Sequence, residues 1–93
     1  MLFVDCVMKG KGIKPGFFTA NMPRCNVNKI SECQFMCQKT PGCKAFQYAP
    51  FPGLTGQCTT GECYLAAGYI TDNNPKTYAG PKYCGKLASF EET

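Results

Sequence analysis

Eight cysteines in a chain of 93 residues constrain this sequence more than anything else in it. Roughly one residue in twelve is cysteine, a density that marks a disulfide scaffold rather than ordinary usage. A cytosolic protein keeps such thiols reduced, so the chain belongs outside the cytoplasm or in a secretory compartment. At this length one domain is expected, with cross-links compensating for a small core. Seven Phe and five Tyr, with Leu, Val, Ile and Met, supply that core. Charged residues make up only 17% of the chain, too few for a disordered tail. No stretch approaches the ~20 apolar residues of a membrane span, so membrane insertion is not expected.

The net charge is +4 and unevenly placed. Residues 1–44 hold seven bases (Lys9, Lys11, Lys14, Arg24, Lys29, Lys39, Lys44) against the acids Asp5 and Glu32, whereas the remainder holds three lysines and four acids. The basic half suits an anionic partner such as a sulfated glycan or an acidic protein surface, or else is simply a solvated face. Nucleic acid is not expected, because there is neither a basic helix nor an RNA-binding aromatic motif. Residues 1–8 contain Asp5 and Cys6 and lack the apolar stretch of an export signal. An oxidised scaffold without its own signal reads as a module excised from a longer secreted protein. No Asn-x-Ser/Thr sequon occurs, and Asn74 is followed directly by Pro75, so N-linked glycan is not expected.

Along the chain, Phe3, Val4, Cys6 and Val7 predict a first strand over 1–8. Lys9 to Gly16 reads as a turn-rich stretch, and Phe17 and Phe18 open another short strand. Cys25 lies in an irregular segment that gains from being pinned. Ser31 and Gln34 have capping-box spacing, and Ile30 and Phe35 have that of a hydrophobic staple. They predict a helix over about 31–39 that turns Cys33, Met36 and Cys37 inward. Pro41-Gly42 stops it. Residues 43–48 predict an aromatic strand, Pro50 to Gly56 a loop, and 57–60 and 62–66 further strand pieces. Asp72-Asn73-Asn74-Pro75 is a strong turn signal, and Thr77 to Ala79 with Lys82 to Cys84 supply a closing strand.

With the cysteines in place, the chain from Cys6 to Cys84 resembles an apple (PAN) domain. The residues that carry the resemblance are the early Cys6, the helical pair Cys33 and Cys37, Cys43 before Ala45-Phe46-Gln47-Tyr48, Cys63-Tyr64-Leu65, and the closing Cys84. The resemblance implies an α+β fold, a curved antiparallel sheet cradling one short helix. It also implies the pairs Cys6–Cys84, Cys33–Cys63 and Cys37–Cys43. Cys25 and Cys58 lie outside the six-cysteine pattern. Their mutual pairing is the simplest completion, and a Cys33–Cys58 bond the alternative. The tail Ala79-Gly80-Pro81-Lys82-Tyr83-Cys84 is most similar to apple modules of apicomplexan microneme adhesins. Such proteins are stored in a secretory organelle and released at host-cell invasion. Some of these modules bind galactose-type sugars and others bind partner proteins, as the apple domains of clotting zymogens do.

The residue inventory argues against catalysis. No His is present, so Ser-His and Cys-His nucleophile systems cannot form. Nothing in the sequence sets two of the six carboxylates across one cleft, as glycosidase chemistry needs. The cysteine spacings do not fit a zinc ribbon or a Cys-x-x-Cys redox motif, and no metal or cofactor is expected. Sugar binding needs an aromatic face with polar groups around it. Candidates are Tyr64, Tyr69, Tyr78, Lys82 and Tyr83, with Asp72 and Asn73 extending to Asn74 as a polar edge. For each tyrosine the plain alternative is sheet or core packing. The competing expectation is protein–protein adhesion through the Pro50 to Gly56 loop with Phe51 and Leu54. Heparin-like binding through Lys9, Lys11 and Lys14 is a third, and a spacer bead in a tandem array a fourth. The reading is a non-catalytic, secreted or cell-surface adhesive module. Its expected partners are a host cell-surface glycan or protein and other adhesin subunits.

Overall fold

The computed structural model describes residues 6–19, 23–50, 58 and 60–84. Five strands form one antiparallel sheet: β1 (Met8–Ile13), β2 (Arg24–Cys25), β3 (Ala45–Ala49), β4 (Glu62–Ala66) and β5 (Thr71–Pro81). Their spatial order is β1-β5-β3-β4-β2. The helix α1 (Ile30–Lys39) packs on β3, β4 and β5. This is the α+β arrangement, an antiparallel sheet with one helix, that the resemblance implies.

Side-chain alternation explains how the sheet buries both faces. On β3 and β4, Phe46, Tyr48, Cys63 and Leu65 join Val27 and the helix cysteines Cys33 and Cys37 in the main core. Their neighbours Ala45 and Ala66 join Ile13 and Ala79 in a second cluster, covered by Phe18. Small alanines on that side let the covering chain approach closely. Every residue of β3 and β4 is buried as a result.

Disulfides tie these layers together. Cys33–Cys63 bonds the helix to β4, and Cys37–Cys43 bonds it to the start of β3. Cys25–Cys58 and Cys6–Cys84 complete the set, and no cysteine is free among the described residues. These are the three pairs implied by the resemblance together with the simplest completion.

The helix lies where expected, but its start is built differently. Its N-cap is Lys29, without a side-chain cap, so Ser31 falls inside the first turn and the Ser31–Gln34 box does not form. Glu32 does the reaching back instead, its carboxylate accepting the Asn28 N–H at 3.0 Å. Ile30 is itself helical and Phe35 is 55% exposed, so the staple is absent too. The end agrees with the Pro41-Gly42 stop, with Thr40 capping through its N–H to the Cys37 carbonyl and its hydroxyl to the Met36 carbonyl.

Three strand expectations are corrected. Among the described residues the first strand runs through the glycine-rich stretch from Met8 to Ile13, and residues 6 and 7 are not part of it; the remainder of the expected strand, residues 1–5, lies outside the described set. Gly12 makes this possible, because a Cβ there would meet the Gln47 Oε1 at 2.6 Å. That oxygen accepts the Ile13 N–H at 2.8 Å. Phe17 ends a 3-10 turn over Pro15–Phe17, and Phe18 makes only a single bridge to Ala66. Finally, Asp72 to Pro75 does not reverse the chain. β5 continues through it, pairing Lys11 with Asn73 and Lys9 with Tyr78, so residues 74–77 bulge out of the ladder. Pro75 has no N–H to give a ladder, and a bulge tolerates it. The local turn chemistry survives inside the bulge, where Asn74 Oδ1 accepts the Lys76 N–H at 3.2 Å.

Candidate ligand-binding site

An open depression of about 440 Å³ lies where the helix end, the start of β3 and the end of β5 meet. Gly42, Cys43, Lys44, Pro81, Lys82 and Tyr83 line it. Local chain geometry fixes both walls. The Lys44 N–H donates to the Ala66 carbonyl at 2.7 Å, and the Lys82 N–H to the Lys44 carbonyl at 2.9 Å. Two glutamines one helical turn apart grip the other side. Gln34 Nε2 donates to the Pro81 carbonyl and Gln38 Nε2 to the Lys82 carbonyl, both at 3.0 Å. The disulfides of Cys43 and Cys84 pin the flanks.

This scaffold presents a half-exposed Tyr83 ring with the Lys82 ammonium 5.9 Å from its centroid. Lys44 adds a second, exposed cation to the lining. An exposed ring offers a stacking face, and the ammonium groups offer donors to hydroxyl or carboxylate oxygens. The volume falls in the range of small-molecule sites, roughly 300–1,000 Å³.

Of the seven sequence candidates, Lys82 and Tyr83 line this depression, and the other five do not. Tyr64 is buried and stacked on Phe18, ring centroids 4.4 Å apart. Tyr78 is half-buried against the main core and tilted toward Tyr48 at 6.5 Å. Asp72 and Asn73 sit in the β1–β5 ladder, where Asn73 Oδ1 accepts a hydrogen bond from the Lys11 ammonium at 2.7 Å. Tyr69 lies between β4 and β5, its phenol held above the ordinary range by burial although part of the ring is exposed. Lys44, Gln34 and Gln38 were not among the candidates. A lysine beside a cysteine and glutamines within a helix carry no local signal of a site, because only tertiary contact gives them their roles.

The other adhesive expectations meet the structure unevenly. Phe51 and Leu54 lie outside the described residues. Lys9 and Lys11 lie on β1 and Lys14 just beyond it. A separate apolar surface joins Phe17, Tyr69 and Ile70, each more than one-third exposed. Phe17 lies over Gly68, and the Lys14 N–H is tied to the Ile70 carbonyl. Among the described residues no cluster of three His, Cys, Asp or Glu could hold a metal, and no helix is long and apolar enough to cross a membrane.

A model of the PAN domain matches residues 8–88. The match covers most of the chain, and with the fold just described it establishes that this protein belongs to the PAN domain family. A search of curated proteins found no match. PAN domains are binding modules for proteins or carbohydrates and are generally non-catalytic. The four disulfides accord with an extracellular or secreted setting.

Proposed function

We propose that this chain is an adhesive module of a secreted or cell-surface protein of the microneme type, and that it attaches to host surface glycans of the galactose class. The observation that carries this reading is the Tyr83 ring, half-exposed beside Lys82 and lining, together with Lys44, an open depression whose backbone is held by the Gln34 and Gln38 side chains. A galactose ring presents a patch of C–H groups that stacks on an aromatic face, while its hydroxyls accept from ammonium groups and share the remaining lone pairs of nearby carbonyls. Such a site binds and releases its sugar unchanged.

Binding of the purified module to surfaces coated with galactose-terminated and glucose-terminated glycans tests this. The galactose surface is expected to retain the module, and Tyr83→Ala is expected to lower affinity about tenfold through loss of the stacking face. Lys82→Ala and Lys44→Ala are expected to cost less, about threefold each. Equal retention on both surfaces, or no change on losing Tyr83, sinks the proposal.

The surface of Phe17, Tyr69 and Ile70 favours a second reading, attachment to a partner protein such as another adhesin subunit. Exposed aromatic and other apolar side chains are the material of protein interfaces. If Tyr69→Ser and Ile70→Ser abolish capture of that subunit while glycan binding is absent, this reading replaces the first.

A further inference from the structure

We infer that a second depression, between β2 and the outer face of α1, binds an acidic peptide segment that carries an apolar side chain. It has a volume of about 440 Å³ and is lined by Arg24, Glu32, Phe35, Met36, Lys39 and Thr40. It shares no lining residue with the depression at Tyr83, so the inference does not depend on the sugar reading.

Two observations select the occupant. The first is apolar surface left open in the lining. Phe35 is 55% exposed, more than any other large apolar side chain in the described residues, and it stands beside the half-buried Met36. A helix position that turns a phenylalanine to water forgoes the burial that stabilises apolar side chains. The second is charge. Arg24 and Lys39 stand against the single carboxylate of Glu32, which is turned back to accept the Asn28 N–H. The Lys39 ammonium lies 5.0 Å from the Phe35 ring centroid, so cation and ring form one composite surface. An acidic segment matches the cations, and its apolar side chain covers Phe35 and Met36. A second copy of this chain is disfavoured by a net charge of +4 concentrated in this half of the sequence. A sulfated glycan satisfies the cations but offers nothing apolar to cover the ring.

The test titrates the isotopically labelled, oxidised module with a blocked pentapeptide of four aspartates around a central phenylalanine. Controls are the same peptide with a central alanine, and a heparin hexasaccharide. Saturable shifts are expected at Arg24 and residues 32–40, with residues 42–44 and 81–83 unmoved. Phe35→Ala is expected to weaken binding about fivefold through lost apolar contact. Arg24→Gln with Lys39→Gln should weaken it about tenfold through lost charge pairing. Glu32→Gln keeps the acceptor for Asn28 and removes the opposing charge, so it should tighten binding about twofold. All four side chains are exposed, and unchanged thermal midpoints will show that the variants fold. Absence of saturable shifts at millimolar peptide overturns the proposal. So does equal binding of the alanine peptide, and so does heparin moving the same amides more strongly than the phenylalanine peptide.

Discussion

The half of the molecule built from β2, α1, β3 and β4 and the ribbon of β1 and β5 are held by different forces. Three disulfides lie within the first half, joining Cys25 to Cys58, Cys33 to Cys63 and Cys37 to Cys43, around a core of Val27, Phe46, Tyr48 and Leu65. The ribbon carries no cross-link along its length. Cys6–Cys84 closes it just outside both strands, and beyond that point it is held by ladder bonds, the small cluster of Ile13 and Ala79, the Ile13 N–H on Gln47, the Thr77 hydroxyl on the Lys11 carbonyl at 2.7 Å, and the Lys11–Asn73 contact. The difference teaches where a small module can afford irregularity. The bulge at residues 74–77 sits in the ribbon, whereas both depressions are walled by the cross-linked helix or its flanks.

The comparison is broken most forcefully by removing a cross-link from the first half. Cys33→Ala with Cys63→Ala opens a loop of sequence separation 30. It is expected to cost about 3–4 kcal/mol in chemical denaturation, or to prevent folding. A loss no greater than that of a ribbon surface variant would remove the distinction. Next in size is the glutamine clamp. Gln34→Ala with Gln38→Ala frees the Pro81 and Lys82 carbonyls, and about 1–2 kcal/mol of stability should go with them. Amide exchange should then quicken at Lys82 and Tyr83 ahead of the rest of the molecule. Uniform quickening would mean that the glutamines support the whole fold rather than the site.

Tyr48 sharpens the contrast through pH. Burial first, then the Glu32 carboxylate and the Tyr78 phenol, hold its phenol above the usual 10.0. Its hydroxyl donates to the Val27 carbonyl at 3.0 Å. Folding therefore favours the neutral phenol. That contribution is fully present below the unfolded pKa and is lost as pH rises through the folded one. Tyr48→Phe is expected to cost about 1 kcal/mol at neutral pH, and to reduce the fall of the thermal midpoint above pH 10. An unchanged alkaline fall would assign that loss to other groups. The smallest effect belongs to the ribbon surface, where Lys11→Ala should change stability by less than about 0.5 kcal/mol, because an exposed contact competes with water.

The same division governs what could be read from the sequence. Cysteine order, the helix and the strands at 43–48 and 62–66 were legible because covalent spacing and local alternation encode them. The ribbon was not. Gly10, Gly12 and Pro75 are turn residues by local rule, and only pairing with a distant strand draws them into β1 and β5. The helix start was misread for a related reason. Ser31 and Gln34 satisfy the box in sequence, yet Glu32 takes the reach-back role and Gln34 finds the Pro81 carbonyl. Lys82 and Tyr83 were named from the sequence as an aromatic beside a cation, and their lining of the depression comes from the fold. Tyr64 and Tyr78 carry the same local signal, and burial separates them from that pair.

The most direct test of the adhesive reading is an NMR titration of the labelled module with galactose, lactose and glucose. Saturable shifts with galactose and lactose, absent with glucose and confined to residues 42–44 and 81–83, are the predicted result. No shift at millimolar sugar, or shifts gathered instead around Tyr69 and Asp72, would contradict a galactose site at Tyr83.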